Sequence, residues 1–276
     1  MKKREEAAWR RVGRLRENWG NILGVGEWAQ KIMREGIRDM PTIVDRGRGV
    51  LTEMPQTDED LAFGREELEK GLGYREYFEE LKEEEAMQLV ARGFMVSPAF
   101  VHWEGLDEQG KRKGRFVQAF HIQSQQWKRQ GTRMETKEAF ASLLRRNDNL
   151  LSFDIKAGYR HFFLHPDMRN YFIFRYDGRY FRCIALPFGW GRSAYWFVNL
   201  LKPFVLYMRE TMGMRVLPYI DDFLLAPVVG RASTCQDFLR ASLDLEHILN
   251  EIGLERHTGK GVWGGGATRV KHLGVV

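Results

Sequence analysis

Residues 216–227 read VLPYIDDFLLAP, two acids side by side with an apolar run on either flank. No other stretch restricts the fold as much. Strand-forming residues surround Asp221 and Asp222, so the pair belongs at the corner of a hairpin or the rim of a sheet. Taken alone, a hairpin corner accounts for it, because Asp favours turns. A second stretch changes the reading. Asp154 lies inside the short apolar strand LLSFDI (150–155), where an unpaired buried carboxylate costs several kcal/mol. No Lys or Arg immediately neighbours the 221–222 pair. With the two strands adjacent, three carboxylates converge at one sheet edge, and each raises the pKa of the others unless a cation neutralises them. Hard oxygen donors with no His or Cys nearby favour magnesium or manganese over zinc. Two such ions about 3.5–4 Å apart hold the attacking and leaving oxygens in phosphoryl-transfer sites.

The rest of the composition is compatible with such a site. Hydrophobic residues make up 43% of the 276 and aromatics 13%, enough for a sizeable core, so the chain is globular rather than disordered. The two cysteines, Cys183 and Cys235, lie far apart in no ligand spacing. That argues against a disulfide scaffold or zinc module and for a reducing compartment. The first twenty residues are charged throughout, unlike a signal peptide, and no apolar run approaches a membrane span. Net charge is +6, unevenly spread: residues 109–134 hold seven Lys or Arg and no acid, whereas 53–85 are acidic. The basic segment fits either a polyanion partner or a solvated loop.

Along the chain, residues 1–50 read as helical, and 39–60 as a linker rich in turn formers and acids. A helix is expected from about Arg75, with Phe78, Leu81, Leu89 and Val90 on one side, ending at Gly93. SPAFVHW and RFVQAFHI are strand-like runs around a basic hairpin tip. Asp177–Gly178 suits a tight turn between two strands. Residues 191–213 read as a helix containing Pro203, and 233–252 as a helix with a Ser233/Gln236 capping pattern and a terminal Gly253. The order of strands, hairpins and helices predicts an α+β fold, an antiparallel sheet with helices on one face.

FDIKAGY (153–159), LPFGW (186–190), YIDD (219–222), IGLERHTGK ending at Lys260, and HLG (272–274) occur in that order. They resemble motifs A to E of reverse transcriptases, most closely those of LTR and DIRS-type retrotransposons. HPDMRNYFIFRYDGRYFRCIALPFG and LLKPFVLYMRE look like signature stretches of the DIRS group, and the similarity covers residues 12–276. The resemblance implies a right-hand polymerase fold: an N-terminal helical extension and linker (1–58), fingers (59–149) and palm (150–276), with 160–200 contributing to the fingers. It implies an RNA-directed DNA polymerase working with two Mg²⁺ ions, or Mn²⁺, on a primed RNA or DNA template with dNTPs. Carried over residue by residue, Asp154 and Asp221 would ligate the metals with the Ile155 carbonyl, and Asp222 would support them. Lys260 would protonate the leaving pyrophosphate, and Arg115 would grip the triphosphate. Tyr159 would be the sugar gate that excludes a 2′-hydroxyl. Phe188 and Gly189 would pack against nucleotide and template, and Leu273 and Gly274 would form the primer grip.

Several positions depart from the pattern. Ala119, His121 and Ser124 replace the polar anchors of the fingers signature, and His102 and Trp103 stand where lysines usually reach phosphate. GRSAYW follows LPFGW in place of a small-residue run. With HLGVV at its end the chain is expected to lack a thumb and RNase H, as one piece of a longer polyprotein or as a decayed copy. Two alternatives therefore stand beside the polymerase: a weak or inactive derivative that binds nucleic acid, and a viral RNA-dependent RNA polymerase. LPFG and Tyr159 argue against the second.

Overall fold

The computed structural model describes residues 6–43, 49–73, 76–106, 110, 112–146, 148–227 and 235–268. The amino-terminal part contains α1 (Ala8–Arg14), α2 (Arg16–Leu23), α3 (Glu27–Glu35), β1 (Gly49–Val50), α4 (Asp58–Leu72), β2 (Phe78–Leu81) and α5 (Glu83–Ala91). Next come β3 (Met95–Leu106), β4 (Arg112–Gln118), α6 (His121–Ser124), α7 (Lys137–Leu143), β5 (Leu150–Asp154) and α8 (Pro166–Arg169). The remainder is β6 (Ile173–Tyr176), β7 (Arg179–Cys183), α9 (Ser193–Glu210), β8 (Met214–Tyr219), β9 (Asp222–Pro227), α10 (Cys235–Ile252) and β10 (Val262–Ala267). No helix among the described residues is long and apolar enough to cross a membrane. The fold is mixed α and β.

The chain forms two compact units. The first comprises the described residues of Met1–Arg10, Glu35–Gln130 and Tyr159–Ser193. Its six-stranded sheet runs β1-β3-β6-β7-β2, with β4 added on β3. β1 and β6 lie parallel to β3, and the other pairs are antiparallel. Phe174 centres the core, with Phe78, Phe116, Phe120 and Phe181 around it at ring distances of 5.0–6.4 Å. The β6–β7 turn falls on Asp177 and Gly178, both at positive φ (52° and 73°), as the dipeptide predicts.

Four local expectations are corrected here. Residues 78–81 form a strand, not the start of a helix. The three-residue gap between Phe78 and Leu81 imitates a helical face, but Glu79 and Glu80 meet Arg182 and Arg179 across β7 in bidentate pairs of 2.8–2.9 Å. The helix begins only at Glu83, where three glutamates in the first turn favour the positive end of its dipole. Residues 119–122 leave the sheet, because Phe120 turns into the core against Phe172 (5.4 Å) and caps α6. The helical N-terminal run ends at Glu35; Ile37 bridges Leu164 in extended form. Within the expected linker, Thr57 and Asp60 make a reciprocal capping box that starts α4, worth about 1 kcal/mol.

The second unit comprises the described residues of Arg11–Arg34, Gly131–Gly158 and Ala194–Val276. Its four-stranded sheet, β10-β5-β9-β8, is antiparallel throughout. Phe153 stacks on Phe223 (4.8 Å), which meets Phe204 of α9 (6.0 Å). Residues one step out of phase, Leu150, Leu217, Leu224 and Ala226, form a second buried cluster, as the period of two in a strand requires. The N-terminal helices serve this unit by closing the end of α10. A terminal helical turn leaves carbonyls without partners; here Asn18, the fully buried Trp19 and Arg11 donate to the carbonyls of Glu251, Ile252 and Gly253 at 2.7–2.9 Å. Ser233, expected to cap the other end of α10, lies outside the described residues.

Candidate active site

The hairpin of β8 and β9 closes with Tyr219 opposite Asp222, leaving Ile220 and Asp221 as its two-residue loop. On its other edge Asp222 lies opposite Asp154 of β5. Strand alternation therefore puts Asp154 on the face that carries Leu150 and Leu224, at the sheet end where the loop turns. One carboxylate oxygen from each of Asp154, Asp221 and Asp222 lies within 4.8 Å of the other two. The expected convergence of strand and hairpin is what the structure holds.

Two backbone hydrogen bonds tie the cluster together. Ile155 N–H donates to the Asp221 carbonyl at 2.9 Å, and His257 N–H donates to the Asp154 carbonyl at 2.8 Å. The segment after α10 thus runs beside β5, and its Lys260 places Nζ 2.9 Å from Asp154 Oδ2. Asp154 is buried (8% exposed), so this ammonium supplies the counter-charge that the local sequence lacks. Among the described residues, one cation faces three acids. The shortfall appears in their protonation: burial, then the Asp154 charge, pushes the Asp221 carboxyl up to about 6. The same two causes raise Asp222, and Lys260 opposes both shifts. Three hard oxygen donors with a deficit of positive charge suit a divalent cation such as Mg²⁺ or Mn²⁺.

Two further residues shape the cluster, and sequence reasoning had not singled them out. Ile220 sits at φ 56°, a left-handed conformation that costs a β-branched residue about 1–3 kcal/mol. Only its place inside the hairpin loop hints at this. Gly158 packs so closely that a Cβ there would lie 2.8 Å from the Phe197 ring and 3.1 Å from Asp221 Cβ. The glycine within FDIKAGY is the available signal.

Tyr159, Phe188, Gly189 and Arg115 belong to the first unit. Tyr159 and Phe188 rings meet at 4.9 Å, and the buried Arg160 guanidinium lies 5.2 Å from the centre of the half-exposed Phe188 ring. Gly189 has φ 84° and approaches the Gln118 carbonyl so closely that a Cβ would stand 2.6 Å from it, which only glycine permits. Arg115 is exposed and its Nε lies 2.5 Å from Glu104. Lys113 shares that acid and Arg112 pairs with Glu59 of α4, so all three of these cations already face a carboxylate. Leu273 and Gly274 lie outside the described residues.

No protein-family model and no curated protein matches the chain. Solved structures do. A foamy viral protease-reverse transcriptase in complex with double-stranded DNA aligns with a TM-score of 0.65 at 14% identity, covering 95% of this chain and 45% of that one. Native prototype foamy virus protease-reverse transcriptase aligns with a TM-score of 0.60 at 14% identity, covering 91% and 33%. The fold is therefore reverse-transcriptase-like, and the chain spans less than half the length of these structures.

Proposed function

We propose that the chain is the fingers and palm of an RNA-directed DNA polymerase of a retrotransposon, DIRS-type by its motifs. In this reading residues 59–149 act as fingers, 150–276 as palm with 160–200 shared, and 1–58 as a helical extension that secures the end of α10. The observation that carries it is the trio Asp154, Asp221 and Asp222 gathered at one sheet end of a reverse-transcriptase-like fold.

Asp154 and Asp221 would hold two Mg²⁺ (or Mn²⁺) ions, with the Ile155 carbonyl as a further donor and Asp222 beside them. Bound there, the ions would stabilise the negative charge that develops on the attacking 3′-oxygen and the leaving pyrophosphate. This chain's own residues do the rest. Lys260, held at Asp154 without metal, would be freed once a cation replaces it and could then donate a proton to pyrophosphate. Tyr159, propped by Phe188, would close the space beneath the sugar and so select dNTPs. Arg115 would leave Glu104 for a triphosphate, whose geometry its planar fork matches. The partners are a primed RNA or DNA template, dNTPs, and further domains such as a thumb and RNase H.

Primer extension on an RNA template tests this. The parent is expected to extend with dNTPs in Mg²⁺ or Mn²⁺, with low processivity, and Asp221→Asn to abolish extension. The ion pair of Arg115 with Glu104 favours a second reading, a non-catalytic nucleic-acid-binding derivative. A parent as inert as the variant, yet able to shift primer–template in a gel, would establish that one instead.

A further inference from the structure

The second unit contains a groove of about 560 Å³ bounded by α9, the segment 131–135 and the β8–β9 hairpin. Its walls carry Arg133, Lys202 and Arg209 against one acid, Glu135. Glu135 lies 3.4 Å from Arg209, which also donates to the Val216 carbonyl. Arg133 and Lys202 are exposed and have no acidic partner among the described residues. The groove is therefore cationic, and Arg133 comes from the basic run that the sequence sets apart.

At the amino-terminal end of α9 the groove reaches Tyr195. That ring meets Trp196 edge-on at 5.7 Å, and Trp196 stacks on Trp28 of α3 at 6.0 Å with 20° between planes. Trp28 is 59% exposed, although its helix buries Ala29 and Met33 beside it. A stacked tryptophan with an open face offers a flat apolar platform, and cations line the adjoining groove. Tyr195, Lys202 and Arg209 share one face of α9 over about 21 Å at 1.5 Å per residue. The opposite wall includes Ile220, next to Asp221. Asp154 and Asp222 lie on the sheet face opposite α9, so a strand in the groove would run along α9 from Arg209 to the tryptophan pair.

Flexible chains that present both negative charge and flat apolar rings are single-stranded polynucleotides, which bind by phosphate–cation contacts and base–aromatic stacking. A duplex hides every base face except those of its terminal pairs, so it offers Trp28 no base along its length. We propose that this groove and the Trp28–Trp196 pair form a track for the single-stranded part of a polynucleotide template, with bases on Trp28 and phosphates at Lys202 and Arg133. The inference rests on the polymerase reading for the word template, and not for the binding itself.

The test is fluorescence anisotropy in EDTA, where no chemistry occurs, with labelled oligouridylate, oligothymidylate and a blunt DNA duplex. Loss of one stacked base predicts that Trp28→Ala weakens both single strands at least about fivefold and leaves the duplex unchanged. Trp28→Phe, which keeps a ring, retains most of the affinity. Lys202→Ala lowers the slope of log affinity against log salt by about 0.7. Unchanged single-strand affinity in Trp28→Ala overturns the proposal, as does an equal loss on duplex or a Trp28→Phe variant that melts like the parent yet binds like the alanine. Should the parent fail to extend a primer while these losses appear, the track stands and the polymerase reading falls; an active parent indifferent to Trp28→Ala gives the reverse.

Discussion

Replacing Asp221 by Asn should stabilise the protein when metal is withheld. The carboxyl is raised from 3.8 to about 6, chiefly by burial and then by the Asp154 charge. Between those two values the folded chain keeps a proton that the unfolded chain has released, so stability falls as pH rises through that window and stays low above it. At full strength the shift corresponds to about 3 kcal/mol. Asp221 is only partly buried, and solvent screening reduces this to about 1–2 kcal/mol. Asparagine keeps the shape and has no charge to bury. In EDTA at pH 8, Asp221→Asn should therefore melt roughly 2–6 °C above the parent. At pH 4, where the parent's carboxyl is protonated, the two should melt together. Saturating Mg²⁺ reverses the order, because a ligand bound only by the folded parent adds about 2.7 kcal/mol at a hundred times its Kd. The assay is thermal unfolding at these two pH values with and without Mg²⁺. A variant less stable than the parent in EDTA at pH 8 would refute the reasoning, since it would mean that the ionised carboxylate is held by favourable contacts.

Gly158→Ala should cost about 1–3 kcal/mol by overpacking, because its methyl would press on Phe197 and on Asp221 Cβ; Mg²⁺-dependent thermal stabilisation should shrink with it, and full retention of that stabilisation would show that the close approach does not position Asp221. Lys260→Met should change unfolding free energy by less than about 1 kcal/mol, since the lysine side chain is 59% exposed. The same variant should bind Mg²⁺ severalfold more tightly in calorimetry, having lost a competitor for Asp154; weaker binding would mean that Lys260 orients the acid instead.

Much of this was legible where the physics is local. Asp177–Gly178 makes its turn because both residues tolerate positive φ, and VLPYIDDFLLAP folds as a hairpin because its two apolar runs pair and leave the acids at the loop end. Asp154 stood out because a lone acid in an apolar strand demands compensation. What that compensation is could not be read locally: Lys260 lies 106 residues away and reaches Asp154 through a segment that the His257–Asp154 backbone bond and the Ile155–Arg256 bridge hold beside β5. Ile220 was hidden for the opposite reason, since a β-branched side chain is among the least suited to the φ it adopts. Phe78 and Leu81 misled because their helical spacing belongs to a strand whose glutamates pair with a distant arginine strand. The Thr57–Asp60 capping box was there to be read, but the surrounding acids resembled a linker.

The central claim is that Asp154 and Asp221, with Asp222 supporting them, would hold divalent metal. Titrating the protein with Mn²⁺ and following the free-ion signal by electron paramagnetic resonance measures this without any nucleic acid. The account predicts binding that Mg²⁺ displaces and that weakens at least about tenfold in both Asp154→Asn and Asp221→Asn, a loss of about 1.4 kcal/mol or more. Equal Mn²⁺ binding by the parent and the two variants would contradict it.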